Sequence, residues 1–319
     1  MSGLLAERGV LLVDGATGTQ LMASGLAPGD APERLNLDDP AAVHRLHRSY
    51  VDVGSDIVLT NTFGGNRHRL ALHKLDDRVV EINREAARHA RHVVDRLERR
   101  VLVAGSIGPT GELLVPLGEL DPADAALSFA EQARGLTEGG ADVLWIETMS
   151  SLEEVEAAIA GARAESDLPI AVTLSFDTAG RTMMGVTGEA AARRLIGAGV
   201  AAIGANCGNN LADTEAALAE ILAVAGDTPV IAKANAGIPH WHGTEIVYSG
   251  SPDVMAAHAH RMRSAGVAII GGCCGNEPSH LAAMRSVLDG TAPVPDLPAE
   301  GGSTAPPRAA ERRRNRRRS

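Results

Sequence analysis

Aromatic side chains are scarce in this 319-residue sequence: two Trp, two Tyr and three Phe, 2% of the chain. A core must therefore be packed from Ala, Val, Leu and Ile, which the 45% apolar content supplies amply. No run of about 18 or more apolar residues occurs, which excludes a membrane-spanning helix. The N-terminus lacks the basic-then-apolar pattern of a secretory leader, so a cytoplasmic location is expected. Only three cysteines are present. That number rules out a disulfide framework, because one thiol would be left over and adjacent cysteines form only a strained bridge. Positive charge is also short, with a net charge of −10. Seven of the arginines crowd into the last twelve residues (Arg308, Arg312, Arg313, Arg314, Arg316, Arg317, Arg318), so the remainder is more acidic still. An acidic body is a poor general binder of nucleic acid.

What the chain does have is alternation. Short apolar runs at Val10–Val13, Ile57–Thr60, Val101–Gly105, Val143–Ile146, Ile170–Leu174, Ala201–Ala205, Val230–Ala234 and Val267–Gly271 read as strands. Stretches with helical spacing separate them: Ala41–Val53, Asp77–Glu98, Ala123–Glu138, Leu152–Ala164, Glu189–Ala198, Leu211–Ala225 and Pro252–Ala265, with Pro278–Leu288 last. Proline at 122, 252 and 278 marks helix starts, and Gly139-Gly140, Gly199 and Gly266 mark helix ends. Such alternation demands a parallel sheet, and eight repeats in about 280 residues predict a closed (β/α)₈ TIM barrel, class α/β. A doubly wound open sheet is the rival, but no G-x-G-x-x-G follows the first strand. The barrel is expected over residues 1–290. Residues 291–319, rich in Pro, Gly, Ala and Arg, are expected to be a disordered, solvated tail.

In such barrels the chemistry gathers at the C-terminal strand ends. Here those ends read Asp14-Gly15, Asn61-Thr62, Ser106, Glu147-Thr148, Ser175-Phe176-Asp177, Asn206-Cys207-Gly208, Asn235-Ala236-Gly237 and Gly272-Cys273-Cys274-Gly275. All three thiols thus fall at glycine-flanked strand ends, on two strands. Three sulfur ligands with a fourth position open is a catalytic zinc pattern, since structural zinc sites use four protein ligands. Three thiolates overcompensate the metal's charge. They suit it poorly for making hydroxide and well for holding a fourth sulfur as a nucleophilic thiolate. The predicted reaction is alkyl transfer to a thiol. The cysteines could instead be small core residues, and Asp14 and Glu147 could merely cap helices. A fourth ligand from His240 or His242, which flank Trp241 after the seventh strand, is a further alternative. The remaining histidines, including His44, His47, His89, His258 and His260, read mostly as surface.

The stretches Asp14-Gly15-Ala16-Thr17-Gly18-Thr19, Thr60-Asn61-Thr62-Phe63, Glu147-Thr148, Asn206-Cys207 and Gly271-Gly272-Cys273-Cys274-Gly275 resemble the homocysteine-binding family of S-methyltransferases over roughly residues 8–289. The resemblance implies zinc on Cys207, Cys273 and Cys274, with homocysteine sulfur in the open position and methionine as product. It implies catalytic roles for Asp14 and Glu147 near the substrate amino group. It also implies substrate contacts from Gly15, Thr62 and Asn206. Betaine or a related onium compound is the expected methyl donor. The aromatics that the family's betaine enzymes carry are replaced here by Gly64 and by the stretch Asp30–Leu35, which leaves Trp145, Phe176, Trp241 and Tyr248 as cage candidates. A separate corrinoid protein, delivering methyl from a methylcorrinoid or methyltetrahydrofolate, is the alternative. A non-enzymatic zinc- or thiol-binding subunit is the reading from a different class. Self-association is compatible with the sequence.

Overall fold

A computed structural model describes residues 1–297 except 178, 243 and 244, and the backbone alone at 239–242, 245 and 246. Eight parallel strands form one sheet in the order β1 (Leu11–Leu12), β10 (Ile269–Gly272), β7 (Val230–Ala234), β6 (Ala202–Cys207), β5 (Ile170–Leu174), β4 (Val143–Met149), β3 (Leu102–Ile107) and β2 (Ile57–Leu59). A parallel bridge from Val13 to Ile57 joins the first strand to the last and closes the barrel. These are the eight strands read from the sequence, with ends shifted by at most a few residues. β5, β7 and the helix Pro278–Leu288 match residue for residue. Each of the expected helices is present on the outside, and the capping signals act as read. Asp121 and Ser251 accept backbone N–H bonds ahead of Pro122 and Pro252, while Gly140, Gly199 and Gly266 adopt positive φ just past helix ends.

Strand alternation divides the core in two. Inward side chains, among them Leu11, Val13, Leu59, Leu102, Trp145 and Ile231, fill the barrel interior. The opposite faces, including Leu12, Val58, Val103, Ile146, Val172 and Ile270, pack under the helices with Phe129, Leu136 and Leu218. Few aromatics suffice because small residues let helices sit close to the sheet.

At the foot of the barrel, Asp56 is fully buried. It accepts the Leu12 N–H (2.9 Å) and faces the guanidiniums of Arg285 (3.1 Å), Arg8 (3.3 Å) and Arg99 (3.9 Å).

Several elements depart from the sequence reading. The short helices Ser2–Arg8, Gly18–Ala23 and Arg67–Ala71 were not anticipated. Neither was the antiparallel hairpin of β8 (Pro239–His242) and β9 (Glu245–Tyr248) after β7. Two histidines taken as surface residues are buried. His258 bonds Glu215 through Nδ1 (2.7 Å), and His47 has neither ring nitrogen hydrogen-bonded among the described residues. Residues 291–297 carry no helix or strand. Residues 298–319, with the arginine run of the expected tail, lie outside the described residues, as do the side chains of His240, Trp241 and His242. No helix among the described residues is long and apolar enough to cross a membrane.

Candidate active site

The inward alternation that fills the barrel with apolar groups turns polar one step nearer the C-terminal ends. Ala104 gives way to Ser106, Trp145 to Glu147, Ala171 to Thr173 and Ile231 to Lys233, while on β6 Gly204 gives way to Asn206. Above this layer stand the cysteines. The donor atoms of Cys207, Cys273 and Cys274 all lie within 4.8 Å of one another, and the Cys207 and Cys273 sulfurs are 3.3 Å apart. All three residues are half-buried.

Local backbone chemistry produces this convergence. β10 stops at Gly272, so Cys273 and Cys274 are in a turn, free of strand alternation. Asn276 pegs that turn. Its N–H bonds Cys273 O (3.1 Å), and its side-chain amide donates to Ala234 O (3.0 Å) on β7. Gly275 takes φ +76, and a Cβ there would stand 2.3 Å from Tyr248 Cγ, so the turn needs glycine on both counts. Cys207 adopts φ +59 and Thr148 φ +62, left-handed positions that cost a non-glycine residue about 1–3 kcal/mol. Strain at the ends of β4 and β6, on either side of β5, re-aims both side chains out of the regular alternation.

The thiol set is electrostatically unbalanced. Hydrogen bonds from Cys207 and Cys273 hold the Cys274 thiol well below its ordinary range. The same contacts, with burial, push Cys207 well above it. One of the three thus ionises readily and the next resists. A divalent cation removes that resistance, and a tetrahedral zinc with bonds of about 2.3 Å sets sulfurs ~3.8 Å apart, inside the observed spread. The donor set therefore fits zinc. Asn235 lies at the same rim, its Oδ1 buried without a hydrogen-bond partner among the described residues and its amide N–H bonded to Gly208 O (2.7 Å).

Below the thiols lie two carboxylates. Asp14 Oδ2 accepts the Leu59 N–H (2.7 Å), standing in for a ladder bond where β1 meets β2. Burial pushes its carboxyl up to about 7, against the opposing pull of Lys233 and the Leu59 N–H. Glu147 accepts a hydrogen bond from the Ser106 hydroxyl (2.5 Å), and burial raises its carboxyl too.

The other residues singled out in the sequence are differently placed. Thr62 is fully buried. Its hydroxyl donates to Ser106 O (2.7 Å) and accepts from Thr60 (2.6 Å), so it braces Ser106 and through it Glu147. Asn206 is likewise buried, its amide bonded to Thr148, and only a long 3.9 Å approach links it to the Cys273 sulfur. Gly15 is packed under Asn276, where a Cβ would stand 2.4 Å from the Asn276 carbonyl oxygen.

Three contributors were missed. Asn276 gave no signal beyond following the cysteines. Tyr248, considered only for a donor cage, lies against Cys274. Lys233, 3% exposed, faces Asp14 across 3.5 Å. A lone charge in the apolar run Val-Ile-Ala-Lys-Ala was its one trace in the sequence, and that trace does not say which way Lys233 faces.

Comparison with known proteins agrees with this architecture. The homocysteine S-methyltransferase family model matches residues 11–288. Methionine synthase of Mycobacterium tuberculosis is 33% identical over 89% of this chain and 25% of its own length. The Mycobacterium leprae methionine synthase is 33% identical over 91% of this chain and likewise 25% of its own. The chain thus spans about a quarter of these relatives. In fold it resembles the homocysteine methyltransferase MmuM of Escherichia coli, with TM-score 0.75 and 24% identity, covering 89% of this chain and 98% of that one. With the family model matched across nearly the whole barrel, this chain belongs to the homocysteine S-methyltransferase family.

Proposed function

We propose that the protein methylates the thiol of homocysteine to form methionine, with zinc held by Cys207, Cys273 and Cys274. The observation that carries the proposal is three converging thiols directly above two buried carboxylates, in a chain of this family. Zinc, when bound, would lower the pKa of an added thiol so that the thiolate exists at neutral pH. The protein's own residues do the rest. Asp14 and Glu147 bind the substrate ammonium, and Ser106, braced by Thr62, keeps Glu147 oriented. The sulfur attacks the donor's methyl carbon in line, and the leaving group departs with the bonding electron pair. Holding both partners in that geometry supplies much of the rate. Membership of a methyltransferase family sets aside the non-enzymatic reading.

The onium donor expected from the sequence would want an aromatic cage. Trp145 and Phe176 are buried in the core, and Tyr248 lies against Cys274. The backbone N–H of Gly64 is bonded to the buried carboxylate of Glu33 (2.6 Å). Among the described residues, which leave out the Trp241 side chain, these placements favour the second reading, as does the fourfold greater length of the methionine synthase relatives: methyl presented by a corrinoid on a partner protein. Zinc-loaded protein and homocysteine, supplied separately with betaine, a dimethylsulfonium compound, S-methylmethionine and methylcobalamin, decide between them by mass spectrometry of methionine. Turnover with methylcobalamin alone supports the partner reading, and turnover with an onium compound alone supports the first. No methionine from any donor, together with no homocysteine binding, refutes the proposal.

A further inference from the structure

Lys233 is a charged side chain inside a barrel wall, and neither packing nor metal binding accounts for it. Its register partners are Asn206 on β6 and Gly271 on β10, so it points into the barrel beneath the thiols. The equivalent inward position one step lower is Ile231, and an aliphatic residue would fill the wall at less desolvation cost. Lysine is not among the zinc ligand types.

The neighbours give it a role. Asp14 Oδ2 is held by the Leu59 N–H, whereas Asp14 Oδ1 is buried and, among the described residues, has no hydrogen-bond partner and faces the Lys233 ammonium at 3.5 Å. That distance steers the oxygen without saturating it, which leaves Oδ1 able to take a closer donor. Lys233 is also the cation that opposes burial at both Asp14 and Glu147. Two carboxylates and one ammonium leave one net negative charge, matched by one substrate ammonium. Without the lysine, two neighbouring buried carboxylates would take up a proton instead.

We propose that Lys233 is the positioning and specificity-determining residue of the amino-acid end of the site: its buried ammonium favours the charged form of Asp14 and aims it, so that the Asp14–Glu147 pair accepts a thiol substrate bearing a single ammonium group. This rests on the homocysteine reading above.

Calorimetric titration of zinc-loaded, full-length protein separates the two ideas. L-Homocysteine is compared with 4-mercaptobutyrate, which keeps the thiol and carboxylate but lacks the amino group. In Lys233→Met, homocysteine binding weakens about tenfold or more while 4-mercaptobutyrate stays within about twofold, and Lys233→Arg recovers most of the loss. Zinc content is unchanged in each. Combined with Asp14→Asn, Lys233→Met causes clearly less than its single-variant loss, because most of its effect passes through Asp14. Lys233→Gln gives the same comparison where the Met variant does not fold. Equal weakening of both thiols, unchanged homocysteine binding, or additive losses in the double variant overturns the role of Lys233 while leaving the substrate intact. Wild-type protein that binds both thiols equally refutes the ammonium pocket, and the inference falls with it.

Discussion

Asn206 and Thr148 clasp one another across two strand ends. The Thr148 N–H donates to Asn206 Oδ1 (2.8 Å), and the Asn206 amide donates to the Thr148 hydroxyl (2.6 Å). Thr148 stands at φ +62, beside Glu147, and Asn206 stands beside Cys207 at φ +59. One side chain therefore holds the strained backbone on both the carboxylate and the thiol side of the site.

Asn206→Ala removes that clasp and leaves the Thr148 N–H unpaired. Stability falls by about 1–3 kcal/mol, read by urea unfolding. Homocysteine binding weakens as well, although the residue touches the site only through its neighbours. Unchanged homocysteine affinity in the folded variant would show that Asn206 has no part in positioning.

Asp56 ties three arginines to the foot of the barrel, at the end away from the thiols. Asp56→Ala exposes no ligand but strips the Leu12 N–H and Arg285 of their shared acceptor, and Arg8 and Arg99 of a counter-charge. The expected loss is about 3 kcal/mol or more in thermal or urea unfolding. The folded variant should retain wild-type zinc content, and loss of zinc from it would contradict the separation of foot from mouth.

His47 makes the protein acid-sensitive. Burial first, then His89 and His44, depress its pKa from 6.5 to about 3. A depressed folded pKa means that the unfolded chain takes up the proton first. Stability from the neutral ring is therefore complete above pH 6.5 and is lost as pH falls towards 3. The loss reaches about 2 kcal/mol by pH 5. His47→Leu, which also removes two unpaired ring nitrogens, should flatten the melting temperature between pH 7 and pH 5. An unaltered acid slope would place the sensitivity elsewhere.

The barrel was legible because its signals are periodic. Apolar runs of five or so residues, prolines at helix starts and glycines past helix ends each report local backbone physics, and eight repeats admit few topologies. The thiol set was legible because its three members are the chain's entire cysteine content, all at strand ends. Lys233 and His47 were not, because burial of a polar residue is a tertiary fact: Val-Ile-Ala-Lys-Ala reads as a strand whichever way Lys233 faces. Thr62 and Asn206 sit at the mouth as expected, yet their side chains bond the wall, and hydrogen-bond partners distant in sequence leave no local trace. The β8–β9 hairpin was hidden by Gly-Ile-Pro-His-Trp-His, which lacks strand alternation.

The most direct test of the thiol centre is metal analysis of purified protein and of Cys207→Ala, Cys273→Ala and Cys274→Ala, each confirmed folded by circular dichroism. The wild type should carry one zinc per chain, and each variant should lose most of it to a chelator that leaves the wild type loaded. A wild type that never holds zinc, or any one variant that keeps it as firmly as the wild type, contradicts a three-cysteine metal site.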